Sequence, residues 1–167
     1  GSSVAAGANC SISVSFRPSA SGARSAALTI TDNATGSPHT AALSGNGTTA
    51  TANLSPTSLT FSSQVVGGSS SAQSVTLSNT GNGTLSISSL ALGGSNAGDF
   101  SKTDNCGASV AAGASCAINV SFKPTATGSR SASLAITDNA AGSPQSVPLA
   151  GTATDFSLSP ASGSSAS

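Results

Sequence analysis

Few side chains here could do chemistry: one histidine, five aspartates, no glutamate, three cysteines and five lysines and arginines in 167 residues. Acid–base catalysis needs an imidazole or carboxylate held beside a partner. His39 is the single imidazole, and the matching position of the internal repeat described below holds Gln145. The fold therefore does not require imidazole there, and a surface loop is expected. Asp32, Asp99, Asp104, Asp138 and Asp155 do not fall at calcium-loop spacing. Asp32 and Asp138 each sit in a T-D-N turn, where a carboxylate accepts backbone N–H groups. No catalytic, cofactor-binding or metal-ligating set emerges, and the chain reads as non-enzymatic.

The cysteines become informative once the elements around them are compared. Residues 106–124 read C-G-A-S-V-A-A-G-A-S-C-A-I-N-V-S-F-K-P, a Gly/Ala/Ser turn between two cysteines followed by alternation of Ile118, Val120 and Phe122 with Asn119, Ser121 and Lys123. Such alternation predicts a half-buried strand. Residues 4–45 repeat residues 110–151 without a gap at about two-thirds identity, an offset of 106 that sets Cys10 on Cys116 and Phe16 on Phe122. Cys106 and Cys116 pair naturally across a short loop, a closure that contributes roughly 3 kcal/mol on the chain-entropy account. Cys10 is unpaired in this window, because the counterpart of Cys106 falls immediately before Gly1. A disulfide in each repeat points to an oxidising compartment; the competing reading is a set of buried free thiols.

Composition narrows the partners. The net charge is zero, charged residues are 6% of the chain, and Ser plus Thr make about a third. The scattered cations have no stacking aromatics beside them, so no nucleic-acid surface is expected. No apolar run is long enough for a membrane span, and no signal-peptide pattern opens the chain. The absence of Met leads to the expectation of a processed piece, or of a window on a longer chain.

Periodicity gives the architecture. In the first copy strands are expected over 10–16, 26–31 and 40–44, separated by P-S-A-S-G and D-N-A-T-G-S-P. A complete unit then offers strands over 54–62, 64–66, 71–79, 84–92, 99–102, 116–122, 132–137 and 145–150, with T-G-N-G read as a hairpin turn. Short strands at eight-to-twelve-residue spacing without helical periodicity predict an all-β chain of tandem immunoglobulin-like antiparallel β-sandwiches. The expected domains are the C-terminal half of one repeat (1–47), a linker (48–53), a complete repeat (54–152), and the first strand of a following domain or a disordered tail (153–167). Three strands with one apolar face cannot bury it alone.

The runs S-P-T-S-L-T-F, A-Q-S-V-T-L-S-N-T-G, N-A-G-D-F-S and the two-cysteine segment, with D-N-A-A-G-S-P-Q and L-A-G-T, closely resemble bacterial "choice-of-anchor D" repeats. These are relatives of the ASPM/SPD-2/Hydin (ASH) group of immunoglobulin-like domains. The resemblance covers residues 52–152 and, through the repeat, 1–47. It implies an exported, multi-repeat bacterial protein with the Cys106–Cys116 disulfide; the eukaryotic relatives serve centrosomes and cilia.

Other chemistry is thin. Arg24 and Arg130 are repeat equivalents beside a glycine turn, read as a solvated strand face rather than an inter-unit contact. Lys102 shares the phase of Phe100, but nothing positions an acid for an isopeptide cross-link. Phe16, Phe61, Phe100 and Phe122 fall at inward phases, leaving Phe156 alone as an aromatic platform for sugar. Sequons at Asn9, Asn33, Asn46, Asn53, Asn82 and Asn119 are a mild excess over chance; Asn33, Asn46, Asn53, Asn82 and Asn119 are the candidate glycosylation sites. The expected function is a non-catalytic structural repeat of a secreted or surface-attached fibre, stalk or adhesin, with strand complementation into a filament as its sharper form. The alternative is a spacer or ligand-binding module of a multidomain secreted enzyme or receptor. Expected partners are neighbouring repeats or copies of the chain itself, a homopolymer included, and glycans; no cofactor is expected.

Overall fold

The computed structural model describes residues 3–156. The chain divides into two compact units, Gly1–Thr48 and Thr49–Ser167. The first contains a hairpin of β1 (Gly22–Ile30) and β2 (His39–Gly47). The strands are antiparallel, with Ala26 opposite Leu43 and Leu28 opposite Ala41. In the turn Asp32 Oδ1 accepts from Ala34 N at 2.8 Å, and Ser37 Oγ accepts from Asp32 N at 2.9 Å. The strand expected over 10–16 does not form. Alternation supplies a face, but a strand also needs a ladder partner for its N–H and C=O groups, and among the described residues none stands beside it.

The second unit contains β3 (Ala52–Ser55), β4 (Leu59–Thr60), β5 (Gln64–Val65), β6 (Gln73–Asn79) and β7 (Leu85–Gly93). A 3-10 turn, Ala97–Asp99, leads into β8 (Phe100–Asp104), β9 (Ser109–Val110), β10 (Ser115–Phe122), β11 (Gly128–Asp138) and β12 (Gln145–Thr154). Two sheets result, one ordered β3-β6-β10-β8 and the other β4-β12-β11-β7-β9, with β5 also on β12. The architecture is a β-sandwich. Its inner faces follow the alternation: Val75, Leu77, Ile118, Val120 and Phe122 from one sheet and Leu85, Leu134, Ile136 and Val147 from the other are fully buried. Phe61, Phe100 and Phe122 cluster with ring centroids 5.0–5.9 Å apart. Gly151 lies against this cluster, where a Cβ would stand 2.6 Å from Phe122 Cε1.

The outward positions of β6, β10 and β12 carry no charge. They are Ser74, Thr76 and Ser78, then Ser115, Ala117, Asn119 and Ser121, then Ser146, Pro148, Ala150, Thr152 and Thr154.

Three expectations change. The strand over 54–62 divides at Pro56, whose ring nitrogen has no hydrogen to donate, so β3 joins one sheet and β4 the other. The sandwich is not wholly antiparallel: β4 and β5 run parallel to β12, with Leu59 beside Leu149 and Gln64 beside Ala153. The T-G-N-G segment is no hairpin turn, since β6 and β7 lie in different sheets. Asn79, 1% exposed, organises that crossing. Its Nδ2 donates to the Gly83 and Val110 carbonyls at 2.7 and 3.0 Å, and its Oδ1 accepts from Gly81 N and Thr51 N at 3.1 and 3.2 Å. At the far end, β12 runs to Thr154, two residues past the expected boundary. Of the expected tail, residues 157–167 lie outside the described residues.

Candidate functional site

Cys106, in the connection after β8, is disulfide-bonded to Cys116 on β10, with Cα atoms 4.9 Å apart. The connection is held from both sides. Asp104 Oδ1 accepts from Cys106 N at 3.3 Å, Asn105 Oδ1 accepts from Ala117 N at 2.8 Å, and Asn105 N donates to the Ala117 carbonyl at 3.2 Å. The bond joins the last part of the first half of the sandwich to the first strand of its second half. In the first unit Cys10 is a free, exposed thiol.

A second polar cluster corrects the reading of Arg130 as a solvated residue. Its side chain is 14% exposed, with Nε 3.2 Å from Asp99 Oδ2. Asp99 Oδ1 accepts from Thr125 N at 2.9 Å and from Thr125 Oγ1 at 2.6 Å, while Arg130 Nε donates to the Ala126 carbonyl at 2.8 Å. Asp99 itself is 3% exposed. A buried carboxylate needs such compensation. The signal was present in the sequence, because Arg130 shares the inward phase of Leu134, two alternations along β11. The cluster couples the turn before β8 to β11.

The remaining candidates stay apart. His39 opens β2 rather than sitting in a loop, with Nε2 3.6 Å from Asp32 Oδ2. Asp138 repeats the turn chemistry of Asp32, accepting from Ala140 N at 2.8 Å. Asp155 is exposed. Lys102 Nζ meets Asp104 Oδ2 at 3.2 Å at the edge of its sheet. Asn33, Asn46, Asn53, Asn82 and Asn119 are all exposed, as is Asn9. Among the described residues no three His, Cys, Asp or Glu side chains converge as a metal site would need. No helix there is long and apolar enough to cross a membrane.

The feature sequence reasoning could not size is the open face of the first unit. Phe16 packs on Gly45 as Phe122 packs on Gly151, since a Cβ on Gly45 would stand 2.7 Å from Phe16 Cζ. Phe16 is nevertheless 52% exposed where Phe122 is fully covered, and Ile12 and Val14 are 53% and 54% exposed where Ile118 and Val120 are buried. Val14, Phe16, Arg24, Leu43 and Gly45 line an open groove of about 600 Å³.

The Cep192 domain 4 family matches residues 53–154. No curated protein matches the chain. Among solved structures it is similar to a protein of unknown function from Porphyromonas gingivalis W83, at 15% identity over 82% of this chain and 68% of that one, with a TM-score of 0.54. It is also similar to the ASH / PapD-like domain of human CEP192 (PapD-like domain 7), at 17% identity over 64% and 87% of the two chains and a TM-score of 0.45. The secreted serine protease VesC from Vibrio cholerae aligns at 16% identity over 66% and 24%, with a TM-score of 0.47. At 15% identity the Porphyromonas likeness is one of fold.

Proposed function

The chain belongs to the Cep192 domain 4 family, and from that premise we propose that it is a structural repeat of a secreted or surface-attached fibre, stalk or adhesin, of the choice-of-anchor D kind. Its work is mechanical. Each sandwich buries a small core, a disulfide offsets the low apolar content, and a face of hydroxyls, amides and methyls meets water. The observation that carries this reading is the repeat itself: residues 4–45 recur as 110–151, and both copies form the same antiparallel pair in the same register. The sharper form of the proposal is assembly by strand complementation. The disulfide supports an oxidising, extracellular or cell-surface setting.

The test is the denatured mass of material isolated from its source, non-reduced and reduced, set beside the size of the native particle. Large particles built of 15.6 kDa chains mean complementation between subunits. A mass many times larger that survives reduction means a covalent string of repeats. Small monomers confined to a reducing compartment would overturn the reading.

A further inference from the structure

Gly81 is a glycine that turn geometry does not require. Its φ lies outside the left-handed region, so the backbone there tolerates an L side chain. What excludes one is the chain passing in front of it. A Cβ would collide with the Thr49 carbonyl oxygen and stand 2.7 Å from Thr51 N and 2.9 Å from Ala50 C. The crossing from Thr80 to Gly83 is therefore shaped to receive residues 49–51, a stretch that composition alone reads as part of a Thr/Ala linker.

Four hydrogen bonds hold that stretch. Thr80 N donates to the Thr51 carbonyl and Gly83 N to the Thr49 carbonyl, both at 2.9 Å. Thr49 N donates to Asn82 Oδ1 at 2.9 Å, and Thr51 N to Asn79 Oδ1 at 3.2 Å. The N–H and carbonyl of both threonines are thus engaged. Ala50, between them, packs with Ala52 and Leu54 against the core. The alternation of β3 continues upstream through it, and the ladder of β3 on β6 is carried on past Ala52 and Asn79. The second unit begins at Thr49, and only Thr48 separates it from Gly47, the last residue of β2.

We propose that residues 49–51 are a strap of the second sandwich, clamped by Asn79, Gly81 and Asn82, and that this strap bears tension entering the sandwich from the preceding repeat. The inference rests on the structural-repeat reading and specifies where its load is carried.

The direction of pull follows from the topology. Gly83 leads into β7 at the Gln145 end of β12, so the strap lies at that end, and the chain leaves past Thr154 at the other. Tension between entry and exit therefore runs along the strands. Ladder hydrogen bonds stand perpendicular to the strands, and a pull along them shears the bonds together instead of opening one after another. β3 has only four residue pairs with β6; the strap bonds stand ahead of them and meet the load first.

The test uses the full chain. Native-state amide exchange reads the strap directly: the N–H groups of Thr49, Thr51, Thr80 and Gly83 are expected to exchange roughly a hundredfold or more slowly than in an unstructured peptide. Asn82→Ala removes an exposed side chain and the acceptor of Thr49 N, and is expected to raise the exchange of Thr49 about fivefold, the effect of one lost hydrogen bond. With the chain tethered at both ends, the same variant is expected to unfold the second unit about fivefold faster at fixed force. Gly81→Ala, which displaces the whole strap, goes further in the same direction. Asn139→Ala is the control, since its side chain holds Ser86 N at 2.8 Å and the Thr84 carbonyl at 3.2 Å, away from the strap. It is expected to lower Tm at least as far as Asn82→Ala but to accelerate unfolding under load less. Exchange of Thr49 and Thr51 at peptide rates, unfolding under load indifferent to Asn82→Ala, or equal acceleration by Asn139→Ala would overturn the proposal. Any of these leaves the structural-repeat reading standing, because that is decided separately by the mass and location of the native material.

Discussion

Gly151→Ala and Gly45→Ala place the same methyl group against the same ring in two settings, and their contrast tests whether burial, rather than local contact, sets the energetics. At Gly151 the new Cβ would stand 2.6, 2.7 and 2.9 Å from Phe122 Cε1, Cζ and Cδ1, against ordinary carbon contact near about 3.5–4 Å. The ring would have to retreat by close to ~1 Å. It has no room: Phe122 is fully buried, and the Phe100 and Phe61 rings lie with centroids 5.0 and 5.9 Å away. Overpacking of this kind costs about 1–3 kcal/mol. For a domain of this size that lowers Tm by about 4 °C at the least. At Gly45 the distances to Phe16 are 2.7, 2.8 and 2.9 Å, but that ring is 52% exposed and swings outward. Gly45→Ala is expected to stay within about 0.5 kcal/mol of the parent. The chain has no Trp or Tyr, so the assay is scanning calorimetry with far-UV circular dichroism. A Gly151→Ala protein that melts with the parent, or a Gly45→Ala protein that loses as much as Gly151→Ala, would refute the reasoning.

Four further outcomes follow from the same geometry. Reducing the disulfide, which links residues ten apart in sequence, should lower stability by roughly 3 kcal/mol, read as a shift of the urea midpoint with and without reductant. Asn79→Ala removes the side-chain partner of two buried carbonyls and two N–H groups. It should cost about 2–4 kcal/mol in chemical denaturation, more than any surface Asn→Ala such as Asn119→Ala. Arg130→Met strands the Asp99 carboxylate and should cost about 3–5 kcal/mol, with Asp99→Asn in the same background recovering part of it. Arg24→Met should leave the melting of the chain unchanged.

Strand phase was legible in the sequence because one face of each strand is buried and the other meets water, so Ile118, Val120 and Phe122 announced themselves. Pairing was less legible. Nothing local in T-G-N-G distinguishes a hairpin from a crossing between sheets; that is decided by Asn79, whose partners come from Thr51, Gly81, Gly83 and Val110. The parallel seat of β4 and β5 on β12 follows from a contact some ninety residues apart in sequence, which alternation does not encode. Arg130 was misjudged by its type. Its phase pointed inward, and Asp99, thirty-one residues upstream, neutralises it there.

The repeat separates what a sequence specifies from what its surroundings supply. Residues 22–47 and 128–153 form the same antiparallel pair in the same register, Ala26 opposite Leu43 and Ala132 opposite Leu149, with the same Asp–Ser turn. Local chemistry and one neighbouring strand suffice for that much. The segments 10–16 and 116–122 share Cys, Ile, Val and Phe at matching positions, yet only the second is a strand, because β6 and β8 flank it. Exposure of the matched Phe then runs from 52% to none. At roughly 25 cal/mol per Å² of apolar surface, that difference in cover is what separates the energetics of the two copies of the ring. A hairpin that keeps its register without that cover takes it from its own turn and ladder alone.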